Sequence, residues 1–198
     1  MNKELSLYTT KGFLDQDFCE EMCAILDAQR RKRVEVGSSE LKNSPELEMR
    51  SNVVEGIDQK ISDKIFRKLE AIVLDLESFF ETSIDSTQDC YFIKYREGEY
   101  CSKHVDAMDT TEAKELFGEP KQLTAVIFLN DESLVESDST FEGGSLVFHE
   151  LFKDENFKDV GYPVRGETGK LIVFPARYSH EVTTVTRGTR YVVNSGFL

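Results

Sequence analysis

From Asp15 onward the chain places apolar side chains at helical intervals, Phe18, Met22, Ile25 and Leu26, with Asp15 positioned to cap the first turn. The same period returns further on. Ile61, Ile65, Leu69, Ile72, Leu76 and Phe79 form one stripe, which predicts a long helix over about Asp58–Phe80. Between the two, Arg30–Ile57 is polar and reads as a long irregular connection. Its basic run Arg30-Arg31-Lys32-Arg33 reads as a solvated helix end, where cations are favoured by the helix dipole.

After Cys90 the pattern shortens. β-prone runs recur between Gly, Pro, Asp and Asn: Cys90–Tyr95, Tyr100–His104, Leu123–Leu129, Ser145–Phe148, Leu171–Phe174, His180–Val185 and Arg190–Asn194. Helices first and short strands afterwards predict an α+β, mainly β architecture, a sandwich or barrel with N-terminal helices packed on one sheet. A single domain is expected over 1–198, helical to about residue 88 and strand-rich from about 89. The stretches Ala107–Pro120 and Asp131–Glu142 read as loops over an open end.

Composition narrows the partners. A formal charge of −13 opposes a non-specific grip on nucleic acid or on an anionic membrane, and reads most simply as surplus carboxylates that keep the protein soluble. No apolar run is long enough to span a bilayer, and MNKELSLYTT carries no basic region followed by an apolar stretch, so a cytoplasmic location is expected. Cys19, Cys23, Cys90 and Cys101 form no CxxC pair and read as small apolar residues rather than a disulfide framework.

The chain has only three histidines. His104 precedes Asp106 by two positions, so an extended strand would turn both to one face. His180 follows a buried-looking LIVF run and a Pro175 turn. Two histidines and one carboxylate make the facial set of non-haem Fe(II) oxygenases, with positions left open for cosubstrate and O₂. A zinc hydrolase could use the same set, though no His-Glu-x-x-His helix is present. Arg190, ten residues after His180, offers a bidentate partner for a carboxylate. His149 follows an acidic-flanked strand and reads as a surface residue; Gly143 and Gly144 read as a tight turn or close backbone approach.

The stretches YREGEYCSKHVD, LTAVIFLND, FEGGSLVF and TGKLIVFPARYSHEVTTVTRGTRYVV, in that order, resemble the catalytic domain of prolyl 4-hydroxylase-like Fe(II)/2-oxoglutarate oxygenases, over about Tyr91–Phe197. GFLDQDFCEEMCAIL resembles the first helix of that branch. The resemblance implies a double-stranded β-helix, or jelly roll, in which TTVTRGTRYV turns a corner between sheets although it looks locally like a hairpin. It further implies that His104, Asp106 and His180 bind Fe(II), that Arg190 pairs with the far carboxylate of 2-oxoglutarate, and that Tyr95 and Thr124 line the cosubstrate pocket. Phe128 stands where some relatives have a tyrosine hydroxyl, and Gly196-Phe197 where a tryptophan is often found. The implied reaction hydroxylates an aliphatic C–H bond, with a prolyl residue of a polypeptide the expected substrate. Succinate and CO₂ are the expected by-products, and ascorbate the reductant that keeps iron ferrous. The substrate itself, polypeptide or small molecule, stays open. A jelly-roll binding or sensing module without turnover, and a metal-dependent hydrolase or a cupin-type dioxygenase without a 2-oxo acid, are the competing readings.

Overall fold

Asp15 caps the first helix as its position predicts: its Oδ1 accepts from the Phe18 amide at 2.9 Å and opens α1 (Gln16–Ala28). A computed structural model of the chain describes residues 6–29, 31–36, 49–107, 121–135, 137–151 and 160–198. The long stripe from Asp58 forms two helices rather than one, α2 (Gln59–Glu70) and α3 (Val73–Phe80). The last turn of α2 tightens where the Ile72 amide bonds Leu69 O at 3.2 Å, and the β-branched pair Ile72-Val73 follows, which a helix holds less readily. The break lets Ile65 and Leu69 on α2 and Leu76 on α3 all reach the core.

Among the described residues the strands are β1 (Tyr8–Thr10), β2 (Arg31–Val36), β3 (Met49–Val54), β4 (Tyr91–Arg96), β5 (Tyr100–His104), β6 (Leu123–Phe128), β7 (Asp131–Glu132), β8 (Thr140–Gly143), β9 (Leu146–Phe148), β10 (Tyr162–Val164), β11 (Leu171–Pro175), β12 (His180–Val182), β13 (Val185–Arg187) and β14 (Thr189–Phe197). The main sheet runs β1-β11-β6-β14-β4-β3-β5-β12-β9-β10, and a small one β13-β8-β7. This curled, largely antiparallel arrangement is the expected jelly roll, with the helices on one face. No helix among the described residues is long and apolar enough to cross a membrane.

The expected irregular connection Arg30–Ile57 is corrected. Its described parts, β2 and β3, form an antiparallel pair, and Arg31-Lys32-Arg33 begin a strand rather than end a helix. Residues 37–48 lie outside the described residues. Polar residues hid the strand: Ser51 and Asn52 are buried, and Asn52 Nδ2 donates to both Glu99 carboxylate oxygens at 2.9 and 2.7 Å. β3 lays its C-terminal half along β4 and its N-terminal half along β5, so the sheet curls through it. Asp131–Glu142 is likewise corrected at its ends, where β7 and the start of β8 pair in parallel.

Strand alternation sorts the core into two layers. Leu123, Ala125 and Ile127 of β6, Leu171 and Val173 of β11, and Val193 of β14 meet the helices. Val126 and Phe128, Ile172 and Phe174, and Val192 fill the roll's interior with Ile93, Tyr95 and Phe148. Gly188 makes the predicted corner: its φ is +74°, and a Cβ there would lie 2.6 Å from Thr140 O. β13 therefore joins β8, while β14 joins β4 and β6. The four cysteines are free, and burial pushes the Cys19 thiol up to about 11 and those of Cys23 and Cys90 up to about 12.

Candidate metal centre

His104 closes β5 and pairs in register with His180, which opens β12, so two antiparallel strands carry both imidazoles to one end of the roll. Their ring centroids are 4.3 Å apart, and the ring of Phe174 stands edge-on to His180 at 4.9 Å. Each Nδ1 lies on a carbonyl two residues back, Ser102 O at 2.8 Å and Tyr178 O at 2.9 Å. A carbonyl only accepts, so each Nδ1 carries a proton, which leaves Nε2 as the atom each ring can offer a ligand.

Asp106 reaches this point by a different route from the one expected. β5 stops at His104, and Asp106 lies in the bend beyond it. The amides of Asp106 and Ala107 both donate to Ala176 O, at 2.9 and 3.0 Å, which docks the bend on the end of β11. The carboxylate then sits with Oδ1 3.4 Å from His104 Nε2 and Oδ2 3.9 Å from His180 Nε2. Thr124 Oγ1 donates to Oδ2 at 2.6 Å. One ligand atom from each of His104, Asp106 and His180 falls within 4.8 Å of the others. His149 stands apart, its Nε2 3.1 Å from Glu181 Oε1.

The electrostatics suit a cation. Burial, helped by the neighbouring His104, pulls His180 down to about 4 against the attraction of the Asp106 carboxylate. Burial alone would raise the Asp106 carboxyl, but His180, His104 and Lys121 hold it well below the usual carboxylate range. Burial likewise opposes a charge on His104, yet its hydrogen bonds to Asp106 and Cys101 outweigh that and raise His104 well above its ordinary value. A metal ion would displace that proton.

The interior holds a second unusual group. Arg190 pairs in register with Tyr95, and its guanidinium carbon lies 5.1 Å from the Tyr95 ring centroid and 5.3 Å from that of Phe128. The residue is 1% exposed, its Nε has no hydrogen-bond partner, and no carboxylate among the described residues lies within ion-pair distance. Glu132 extends its field to Arg190, but its carboxylate accepts from Ser145 Oγ and from the Gly166 amide. Gly144 makes room for the stem: a Cβ there would stand 3.1 Å from Arg190 Cδ and 2.8 Å from Val185 Cγ2. A caged guanidinium with no counter-ion among the described residues fits an incoming carboxylate.

Of the expected residues, the structure brings together His104, Asp106 and His180, sets Tyr95 over Arg190, and turns the Thr124 hydroxyl to Asp106. The Ala176 clamp and the Thr124 bond went unread in the sequence. A lone hydroxyl at an inward position of the apolar run LTAVIF was the available signal for the second; a backbone clamp leaves none.

Residues 90–197 match the sequence model of the 2OG-Fe(II) oxygenase superfamily. A PKHD-type hydroxylase of Klebsiella pneumoniae subsp. pneumoniae is 30% identical over 131 residues, 64% of this chain and 52% of its own length. Another, of Prochlorococcus marinus, is 26% identical over 156 residues, 79% of this chain and 59% of its own. The chain thus spans a little over half the length of these curated relatives. Among solved structures, a Pseudomonas putida prolyl-4-hydroxylase superposes with a TM-score of 0.69 at 17% identity, over 97% of this chain and 91% of that one. The viral collagen prolyl hydroxylase of Paramecium Bursaria Chlorella virus-1 gives 0.61 at 15%, over 98% and 95%. These two likenesses show the fold.

Proposed function

Because the chain belongs to the 2OG-Fe(II) oxygenase superfamily, we propose that His104, Asp106 and His180 hold Fe(II) and that Arg190 grips 2-oxoglutarate. The reaction is hydroxylation of an aliphatic C–H bond by a prolyl 4-hydroxylase-like dioxygenase. One observation carries this reading. The interior that presents the two-histidine, one-carboxylate set also buries a guanidinium that no carboxylate among the described residues pairs. A binding module without turnover would need neither.

When bound, iron with 2-oxoglutarate and O₂ supplies the oxidising power to break an unactivated C–H bond, with 2-oxoglutarate lost as succinate and CO₂. The chain's own residues orient and enclose. The Ser102 and Tyr178 carbonyls fix both imidazole tautomers. Phe174 and Phe148 wall His180 from water, and the Tyr95 and Phe128 rings flank Arg190. With Phe128 offering no hydroxyl, Arg190 is the carboxylate's main polar partner. Ascorbate is the reductant that would return oxidised iron to the ferrous state.

For the substrate we propose a prolyl residue within a polypeptide. The solved prolyl hydroxylases of the same fold favour it. The acidic Asp131–Glu142 stretch contributes less steering than its composition suggests: Asp131 accepts from the Thr168 amide and hydroxyl, Glu132 from Ser145, and Glu142 pairs with Arg187 at 3.3 Å. Asp109, Glu112 and Glu115, on the other acidic loop, lie outside the described residues, as does Glu136. The test incubates protein, Fe(II) and 2-oxoglutarate with basic, neutral and acidic proline peptides and with free amino acids, at low and high salt. One added oxygen on peptide proline is the expected product, at rates little affected by peptide charge. Turnover confined to a free small molecule would overturn the polypeptide assignment.

A further inference from the structure

The Thr124 hydroxyl has a defined task in the folded chain. Its bond to Asp106 Oδ2, at 2.6 Å, is shorter than the 3.4 and 3.9 Å that separate that carboxylate from the two histidines. Among the described residues, Thr124 and the two histidines are the side chains that meet the Asp106 carboxylate at these distances.

The two partners differ in how firmly the backbone holds them. Thr124 is 1% exposed and sits inside β6, paired to Phe174 of β11 on one side and to Gly196 of β14 on the other. Its branched Cβ stiffens the side chain further, so its hydroxyl has few directions to point. Asp106 lies in a bend past the end of β5, where the Ala176 clamp secures its amide but leaves the carboxylate free to rotate. A rigid donor next to a rotatable acceptor sets the acceptor's orientation. The interaction runs from Thr124 to Asp106, not the reverse.

We propose that Thr124 is a positioning residue of the metal centre: its hydroxyl retains Asp106 Oδ2 and leaves Oδ1, the oxygen on the His104 side, as the metal donor. This rests on the assignment of His104, Asp106 and His180 as the metal ligands. It also gives Thr124 a role other than the cosubstrate contact that family resemblance implies, and the two roles make opposite predictions. A positioning residue governs metal affinity. A cosubstrate contact governs 2-oxoglutarate affinity on protein already saturated with metal.

The experiment titrates wild type, Thr124→Val, Thr124→Ala, Thr124→Ser and His180→Ala with Fe(II) under anaerobic conditions and with Co(II) as a redox-stable probe. It then measures 2-oxoglutarate binding to each metal-saturated protein, with thermal unfolding as the fold control. Loss of an outer hydrogen bond to a metal ligand typically weakens metal binding about 10- to 100-fold, and both Thr124→Val and Thr124→Ala are expected in that range. Thr124→Ser, which restores the donor, keeps wild-type metal affinity, and 2-oxoglutarate binding at saturating metal is unchanged in all three Thr124 variants. Wild-type metal affinity in Thr124→Val and Thr124→Ala, with weakened 2-oxoglutarate binding, would overturn the positioning role and make Thr124 a cosubstrate contact. Equal metal binding by wild type and His180→Ala would instead overturn the ligand assignment, and the Thr124 role with it.

Discussion

Lys94 and Arg190 are buried cations on one pair of strands, a single step apart in register and on opposite faces: Lys94 lies across from Tyr191, and Arg190 across from Tyr95. The helix side gives its cation both a carbonyl and a carboxylate. Lys94 Nζ donates to Leu26 O at the end of α1 at 2.8 Å and to Asp27 Oδ1 at 3.0 Å, and Tyr191 donates to Asp27 Oδ2 at 2.7 Å. The interior does not. Arg190 has two aromatic faces, an unpartnered Nε and no carboxylate in reach among the described residues. Taking a charge out of water costs several kcal/mol unless partners replace the lost solvation. Lys94 therefore belongs to the fold, welding α1 to the sheet, whereas Arg190, on the proposed reading, takes its carboxylate from 2-oxoglutarate.

The comparison breaks or sharpens with substitutions on either side. The largest effect is expected at Arg190→Ala, which should raise the 2-oxoglutarate requirement roughly ten- to a thousandfold, a loss of about 1.5–4 kcal/mol for an unpaired carboxylate. Arg190→Lys should recover part of it, a point charge without the fork. Isothermal titration of the metal-loaded protein measures both. Arg190→Met should leave unliganded stability equal or higher, since it removes an uncompensated charge.

Lys94→Met should do the opposite. It deletes two hydrogen bonds from a cation and should lower unfolding stability by about 1.5–3 kcal/mol in a denaturant titration, while 2-oxoglutarate still raises the midpoint as it does in wild type. If Lys94→Met loses cosubstrate affinity and Arg190→Met loses stability, the division between the faces is wrong.

The smallest effect concerns pH. Burial pushes the Asp27 carboxyl up, but the Tyr191 hydroxyl and the Lys94 ammonium outweigh it and hold it below its ordinary value. A lowered folded pKa contributes stability above the unfolded value and loses it as pH falls through the folded one. Wild type should therefore exceed Asp27→Asn in stability near neutrality, with the gap closing below about pH 4. A gap that stays constant to low pH would remove Asp27 from the weld.

Much of this was legible in the sequence, for identifiable reasons. Tyr100–His104 was bounded correctly because its Gly and Glu flank and its β-prone run agree, and Asp15 was a clear cap. His104 and His180 stand out because the chain has only three histidines, Asp106 by its two-residue spacing from His104, and Arg190 by its place ten residues after His180. β3 stayed hidden because buried Ser51 and Asn52 imitate loop residues, and the partner that satisfies Asn52, Glu99, lies forty-seven positions away. Lys94 hid for a related reason: a buried lysine looks like any surface lysine until the helix end that receives it is placed. Asp106 was found by a spacing argument that the structure replaces, since a clamp on Ala176, not strand alternation, brings it to the histidines.

The most direct test of the central claim is succinate formation from 2-oxoglutarate under O₂ by wild type and His180→Ala, each shown to be folded, with and without added Fe(II). Wild type should form succinate only when Fe(II) is present, and His180→Ala should form none under either condition. Succinate formed by His180→Ala at the wild-type rate, or by wild type after its iron is fully chelated, would contradict it.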